Sequence, residues 1–564
     1  MPREGLAPED DMARLTPFLS HIQHPGWQLF SQEHKSNAAI FMGVEFPTVN
    51  SNYNLSMIPG EAATQLAAMT GEAIALVSHQ VCPNRTMGNA HLVSPMIDFE
   101  SIKHRLTFCD EKHNGRCKAL FAKEILTTRM IDVERRIVVS CPPNCEYIAL
   151  SYVWGGVIPI QRALELRQLP PTIEDAITVT KKLGMRYLWV DALCIDQSPS
   201  PSPEQLAIKQ QQLKMMDLIY ASAYLTLVAL SGTSSNSGLP GVSSFPRSRQ
   251  VEEIIDGHIF ISVPPAHAAE HEDPIWRRRA WTFQEAIFSR RSVYFTDHSF
   301  FFHCPEAYLP EALDIKTAYS RPNRNDSKNL DAAKSGIILG YRFLAEEYTR
   351  RDMTRDEDSL NAFMGILSGF QRHNLLSGFV FGLPLEHYPE SLGWMHDFQA
   401  TVRRRAGFPT WSWVGWAGAM SIPEQLFSPR EHRRQLDTLT DMKPRFVSLA
   451  GNCLVVEGWV VQLDVLTEPF SEVLHPRTGE TLGSIKEGNH IHNNTIASGK
   501  YSALITERVK YFLTKDGPEK QRTFMVLLDW QGDKAQRKTA VTFAPFSQHD
   551  VLDLKPERRA ISLI

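Results

Sequence analysis

The sequence predicts an α/β domain built on a parallel sheet, then a helical region and a C-terminal all-β module. Three observations carry this. Apolar runs near 147–154, 187–196 and 223–230 alternate with two stretches of helical periodicity, the order that builds parallel sheets with crossover connections. Helical spacing then dominates 330–415. From Phe446 the apolar residues recur every second position, in 453–465, 501–514, 523–530 and 539–544, as half-buried strands require.

The chain bounds follow. At 564 residues it exceeds what one core can serve. A hydrophobic content of 43% and a charged content of 22% are ordinary globular values. Lys+Arg of 59 against Asp+Glu of 63 leaves a net charge of −4 without a basic run, so no nucleic-acid partner is expected. No run of 18 or more apolar residues suggests a membrane span. The acidic start, MPREGLAPEDDM, does not resemble a secretory signal. Eight scattered cysteines make no disulfide framework, so a reducing cytoplasmic setting is expected, with Cys141 and Cys145 unbridged across the stiff Pro142-Pro143.

Residues 1–105 carry little pattern beyond an Ala-rich helix expected at Gly60–Ser78. Tyr147–Trp154 reads as a strand closing on Gly155-Gly156, where the backbone turns or approaches a ligand. Pro171 and Thr172 open a helix, with Thr172 and Asp175 spaced as a capping box and Gly184 as its stop. The strand at 187–196 ends in Asp191, Cys194, Asp196 and Gln197, which marks the carboxyl edge where open α/β sheets hold ligands. Asp191 should point into that edge or cap a neighbouring loop, and Asp196 toward solvent or the next helix. That helix starts with Ser202 as N-cap, Pro203 at N1 and Gln205 at N3, and runs to about Ala221. A strand-like piece at Ile254–Val263 precedes a helix over Trp276–Arg290, which sets Trp281 and Glu285 on one face. A fourth strand, Ser292–Phe295, follows. The Trp-rich segment Phe408–Trp416 reads as a packed seam.

Several motifs have simpler explanations than chemistry. Neither GxxxxGK[ST], GxGxxG nor HExxH occurs. His267-Ala-Ala-Glu-His271 matches a metalloprotease pattern, but prolines on both sides cramp the helix it needs, so it reads as coincidence. Cys109-x3-His113-x3-Cys117 invites zinc. On one continuous helix, however, the two cysteines would stand about 12 Å apart, too wide for one ion, so no metal is expected. Cys194 beside Asp191 reads as a core thiol rather than a nucleophile. Glu285 is either a helical Glu paired with an arginine or a carboxylate placed to stabilise an oxocarbenium-like charge.

Three blocks resemble the signatures of the fungal heterokaryon-incompatibility (HET) domain: Tyr147-x-Ala-Leu-Ser-Tyr-Val-Trp-Gly155, Leu188-Trp-Val-Asp-Ala-Leu-Cys-Ile-Asp-Gln197 and Arg279-Ala-Trp-Thr-Phe-Gln-Glu285. Tyr348-x-x-Arg351-x-x-Thr354-x-x-x-Asp358 and Pro409-Thr-Trp-Ser-Trp413 resemble the region that commonly follows. The resemblance implies fungal self/non-self recognition and regulated cell death, with self-association and protein partners. It further implies a flavodoxin/TIR-like parallel sheet with flanking helices. By that likeness Glu285 is the catalytic residue of a possible NAD+ glycohydrolase, with NAD+ as substrate and no bound cofactor. Ser151, Tyr152, Trp154, Gly155, Asp191, Cys194, Asp196, Gln197, Arg279 and Trp281 are then the substrate-binding set. The alternative is a non-enzymatic adaptor, or an accessory protein of a fungal gene cluster. The expected division is 1–105, 106–305 (the HET domain), 306–430 and 431–564.

Overall fold

The computed structural model describes most of residues 91–564 and three short strands before them. The remainder of 1–90, the stretches 157–162, 264–273, 321–336, 423–436, 468–471, 485–495, 513–518 and 544–550, and a few single positions lie outside the described residues. By its contacts the chain forms two compact units, residues 1–278 with 288–324, and residues 279–287 with 325–564.

The first unit holds a nine-stranded mixed sheet. Its strands are β1 (Arg129–Asp132), β2 (Ile137–Ser140), β3 (Tyr147–Ser151), β4 (Tyr187–Trp189), β5 (Leu225–Ala229), β6 (Ser292–Phe295), β7 (Phe300–Cys304), β8 (Ala307–Pro310) and β9 (Tyr319–Ser320). They lie in the order β9-β8-β7-β6-β5-β3-β4-β1-β2. β4, β3, β5 and β6 run parallel to one another; both flanks are antiparallel. The parallel sheet expected from the sequence is therefore the centre of a mixed one. Every residue of β3 and β5 is buried, which explains why both read as unbroken apolar runs rather than alternating ones.

The crossovers are α2 (Pro171–Lys182), which leads from β3 to β4, and the short α3 (Asp191–Cys194), α4 (Pro203–Lys214) and α5 (Met216–Ser222), which lead from β4 to β5. The Ser202 capping box forms as expected, with Gln205 reaching back to the Ser202 N–H. The helix expected to continue to Ala221 instead breaks at Met215. In α2 the expected Thr172 cap does not form. Thr172 Oγ1 accepts from Gly238 N at 3.1 Å and the Asp175 carboxylate from Leu239 N at 2.8 Å, so both serve the loop after β5. Gly184, at φ +78°, ends the helix where the sequence placed its stop. A helix α1 (Phe99–Lys112) precedes the sheet.

Two elements differ from expectation. Ala73–Leu76, inside the helix expected at Gly60–Ser78, is a strand paired antiparallel with His258–Val263; the rest of that helix lies outside the described residues. The piece at Ile254–Val263 is an antiparallel pair, Glu252–Ile255 with His258–Val263. His267 to His271 lie outside the described residues.

The second unit contains α6 (Ala280–Phe288), α7 (Ile337–Thr349), α8 (Asn361–Arg372) and the C-terminal strands. Trp413, fully buried, packs edge-on against Phe363 at 5.2 Å and Tyr348 at 5.8 Å. The Trp411 indole donates to Asn452 O at 2.9 Å, so this segment joins the helices to the β module. In that module β10 (Cys453–Leu466) alternates buried and half-buried residues along most of its length, as the period-two pattern requires. With β11 (Gly499–Phe512), β12 (Glu519–Gln531), β13 (Lys534–Phe543) and β14 (Glu557–Leu563), it pairs in a ring: β10–β11, β11–β12, β12–β13, β13–β14 and β14–β10. Closure leaves these five strands no open edge among themselves.

Candidate functional site

The chain leaves β3 for β4 on one side and reaches β5 on the other, so the strand order reverses between β3 and β5. In open α/β sheets the crevice beyond such a reversal is the usual ligand site. The loop leaving β3 buries Tyr152 and Val153 and leaves Trp154 half-buried. Gly155 follows at φ +64°; a Cβ there would lie 2.3 Å from the Cβ of Ser234. Only glycine lets this loop pack on the one after β5, where Ser235 N donates to Trp154 O at 3.3 Å.

β4 stops at Trp189, and Asp191–Cys194 forms a helical turn instead of continuing the expected strand to 196. The Asp191 carboxylate explains the change. Its Oδ1 accepts from Ala192 N at 2.7 Å, at the start of the turn, and its Oδ2 from the Trp154 indole at 2.8 Å. Bound this way, the carboxylate satisfies one of the free N–H groups at the start of the turn, which a strand would not need. Asp191 thus ties the two loops together, as one of its expected roles required. Asp196 turns toward α4: it accepts from Ser198 N and Oγ at 2.9 and 2.6 Å and from Gln205 Nε2 at 3.1 Å. The Ser198 hydroxyl and amide hold its carboxyl below the usual range. Gln197 accepts from Lys209 Nζ at 3.0 Å. Cys194 is fully buried and takes a contact from Val190 N at 3.5 Å; burial pushes its thiol up to about 12. That is a core thiol, not a nucleophile. Ser151, also buried, accepts from the Trp276 indole at 2.8 Å. Sequence reasoning missed both Trp276 and Lys209, since neither lies in a block with its partner.

The third block belongs to the second unit. Arg279 interrupts the helix expected over 276–290: it bridges Asp352, and Ala280 N donates to Asp352 O at 3.0 Å. The Arg351 guanidinium lies 4.5 Å from the Phe283 ring centre and donates to Arg279 O at 3.2 Å. Trp281, half-buried, donates to the Asp358 carboxylate, while burial keeps that carboxyl above its usual range. Tyr348 OH donates to Ser359 O at 2.6 Å. Arg351 and Asp358, which stand far downstream in the sequence, are therefore the neighbours of the third block. Glu285 is 5% exposed. Gln284, fully buried, has no hydrogen-bond partner for its amide among the described residues.

The first unit is thus an α/β domain whose polar residues gather where parallel strands end. Residues 147–285, from the first residue of β3 to Glu285, match the family model described as Heterokaryon incompatibility protein (HET). Residues 147–285 thus form a heterokaryon-incompatibility domain, with all three signature blocks inside the matched span. No curated protein and no solved structure matches it.

Proposed function

We propose that this chain acts in heterokaryon incompatibility, as a component of fungal self/non-self recognition leading to cell death, and that its HET domain works by binding protein partners and by self-association. One observation carries the binding reading: the polar residues of the signature blocks are engaged in the fold. Asp191 uses both oxygens, Ser151 holds Trp276, the Cys194 thiol is neutral in the core, and Glu285 is 5% exposed. A residue that turns over substrate must instead reach it.

Trp154 favours a second reading, NAD+ hydrolysis on a TIR-like sheet. It is half-buried, follows the strand at the reversal point, and offers an aromatic face to a departing nicotinamide. Glu285 would then stabilise the positive charge that develops on the ribose.

The experiment that separates the two incubates the purified full chain with NAD+ and follows nicotinamide by chromatography, alongside light scattering over a range of protein concentrations. Self-association without nicotinamide release is the expected result. Release that falls about 10²-fold in Glu285→Gln, the scale of losing one positioned charge, and that is unchanged in Asp297→Asn, would replace the binding reading with the enzymatic one.

A further inference from the structure

We propose that Cys109, His113, Cys117 and Cys304 form a structural zinc site. Their ligand atoms all lie within 4.8 Å of one another, and all four residues are buried. His113 Nδ1 stands 3.4 Å from Cys117 Sγ and 3.5 Å from Cys304 Sγ. Tetrahedral zinc with bonds of about 2.3 Å to sulfur and about 2.0 Å to nitrogen separates the two ligand types by roughly 3.5 Å. The observed spacings match that edge.

The geometry overturns the argument from spacing. α1 does not continue through Cys117; it ends at Lys112, with His113 as its cap. Asn114 and Gly115 then take φ +49° and +75°, left-handed conformations that fold the chain back on itself. Cys109 and His113 stay one helical turn apart on one face, and Cys117 returns beside them. Cys304, the last residue of β7, completes the set from the antiparallel flank of the sheet.

A hydrogen bond at the imidazole does not by itself account for the position of His113. A neutral ring nitrogen offers one lone pair or one proton, so Nδ1 can serve one sulfur, yet two stand at nearly equal distance. The cysteines are not joined as disulfides. Convergence of three soft sulfurs and one imidazole selects zinc over magnesium or calcium. Three thiolates and Zn2+ leave one net negative charge. Arg291, buried, faces that charge at Cys109 and also pairs with the Asp110 carboxylate, so the set with both neighbours keeps one net negative charge. Four protein ligands in a buried set leave no open position, so the role is structural: the ion pins the end of α1 to the β7–β8 hairpin.

The test uses full-length protein produced with zinc available. Elemental analysis should find about one zinc per chain. Cys304→Ser and His113→Ala should lose it, whereas His113→Cys, which restores a tetrahedral thiolate set, should keep it. Cys141→Ser, outside the cluster, should also keep it. Should the loss variants fail to fold, cobalt exchanged into the wild type answers independently: intense visible bands with a thiolate-to-metal absorption are expected of a tetrahedral sulfur-rich site. Wild-type protein without zinc, zinc retained by Cys304→Ser, a weak octahedral cobalt spectrum, or a disulfide among these cysteines each overturns the proposal.

Discussion

Two polar clusters in the first unit are built on opposite principles. At the carboxyl edge donors and acceptors are matched: the Trp154 indole and the Ala192 amide supply the hydrogens that the Asp191 oxygens accept, and Lys209 supplies one to Gln197. The arrangement is complete in itself and holds two loops together. Around His113 the groups are all of one kind, three sulfurs and a ring nitrogen converging on a shared centre. As thiols such groups share only weak S–H hydrogen bonds, whereas as thiolates they need a cation among them. Self-satisfied polar clusters stabilise a shape; soft ligand atoms converging on one centre have the geometry of a metal site.

The largest expected effect tests the one-sided cluster. If it holds zinc at about a thousand times the dissociation constant, the ion contributes about 4 kcal/mol to the folded state. A strong chelator should therefore lower the melting temperature of the wild type by several degrees, with recovery on adding zinc back. Cys304→Ser should start low and respond to neither treatment. A wild type indifferent to the chelator would make the two clusters alike after all.

What the sequence revealed divides along the same line. The β3–β4–β5 alternation, the Ser202 capping box, the Gly184 stop and the C-terminal period-two strands were legible because each is specified by residues close in the chain. The antiparallel flanks were not, since β7 and β8 carry no signal of which neighbour they join. The strand at 187–196 was overextended because Asp191 looks the same in sequence whether it ends a strand or begins a turn; Trp154, far upstream, decides. The metal set stayed hidden for two reasons. Two left-handed residues, Asn114 and Gly115, reverse the chain, and the fourth ligand, Cys304, lies on a distant strand.

The next effect in size tests whether the carboxyl edge is a unit. Asp191→Ala leaves the Ala192 amide and the Trp154 indole without their acceptor, so a loss of about 2 kcal/mol is expected by urea denaturation. Trp154→Phe keeps the ring and removes one donor, for about 1 kcal/mol. The double variant should lose less than the sum, by at least 0.5 kcal/mol on the scale of coupled neighbours. Additive losses would show the 2.8 Å contact to be incidental. Cys194 comes next. Its thiol, pushed up to about 12 by burial, stays protonated at neutral pH, so iodoacetamide should label it only as the protein unfolds. Rapid labelling of the native chain at this position would return it to the list of reactive groups.

The smallest effect concerns Asp196, on the rim of the same edge. The Ser198 hydroxyl and amide bind its charged form and hold its carboxyl below the usual range. A carboxyl depressed on folding gives up a proton more readily in the native state, so its stabilisation is fully present above the ordinary aspartate value near 3.9. It is lost as the pH falls through the lower native value. The group is largely solvated, which reduces the contribution to at most about 0.5 kcal/mol. Asp196→Asn should therefore trail the wild type by a small, constant margin in urea midpoint from pH 7 to about pH 5, and the margin should close below about pH 4. Asn keeps a carbonyl acceptor for one Ser198 donor, which makes the margin a measure of charge rather than of a missing contact. A margin that widened on acidification would mean that the carboxyl is raised in the folded protein, and the contacts from Ser198 and Gln205 could not then be what orients it.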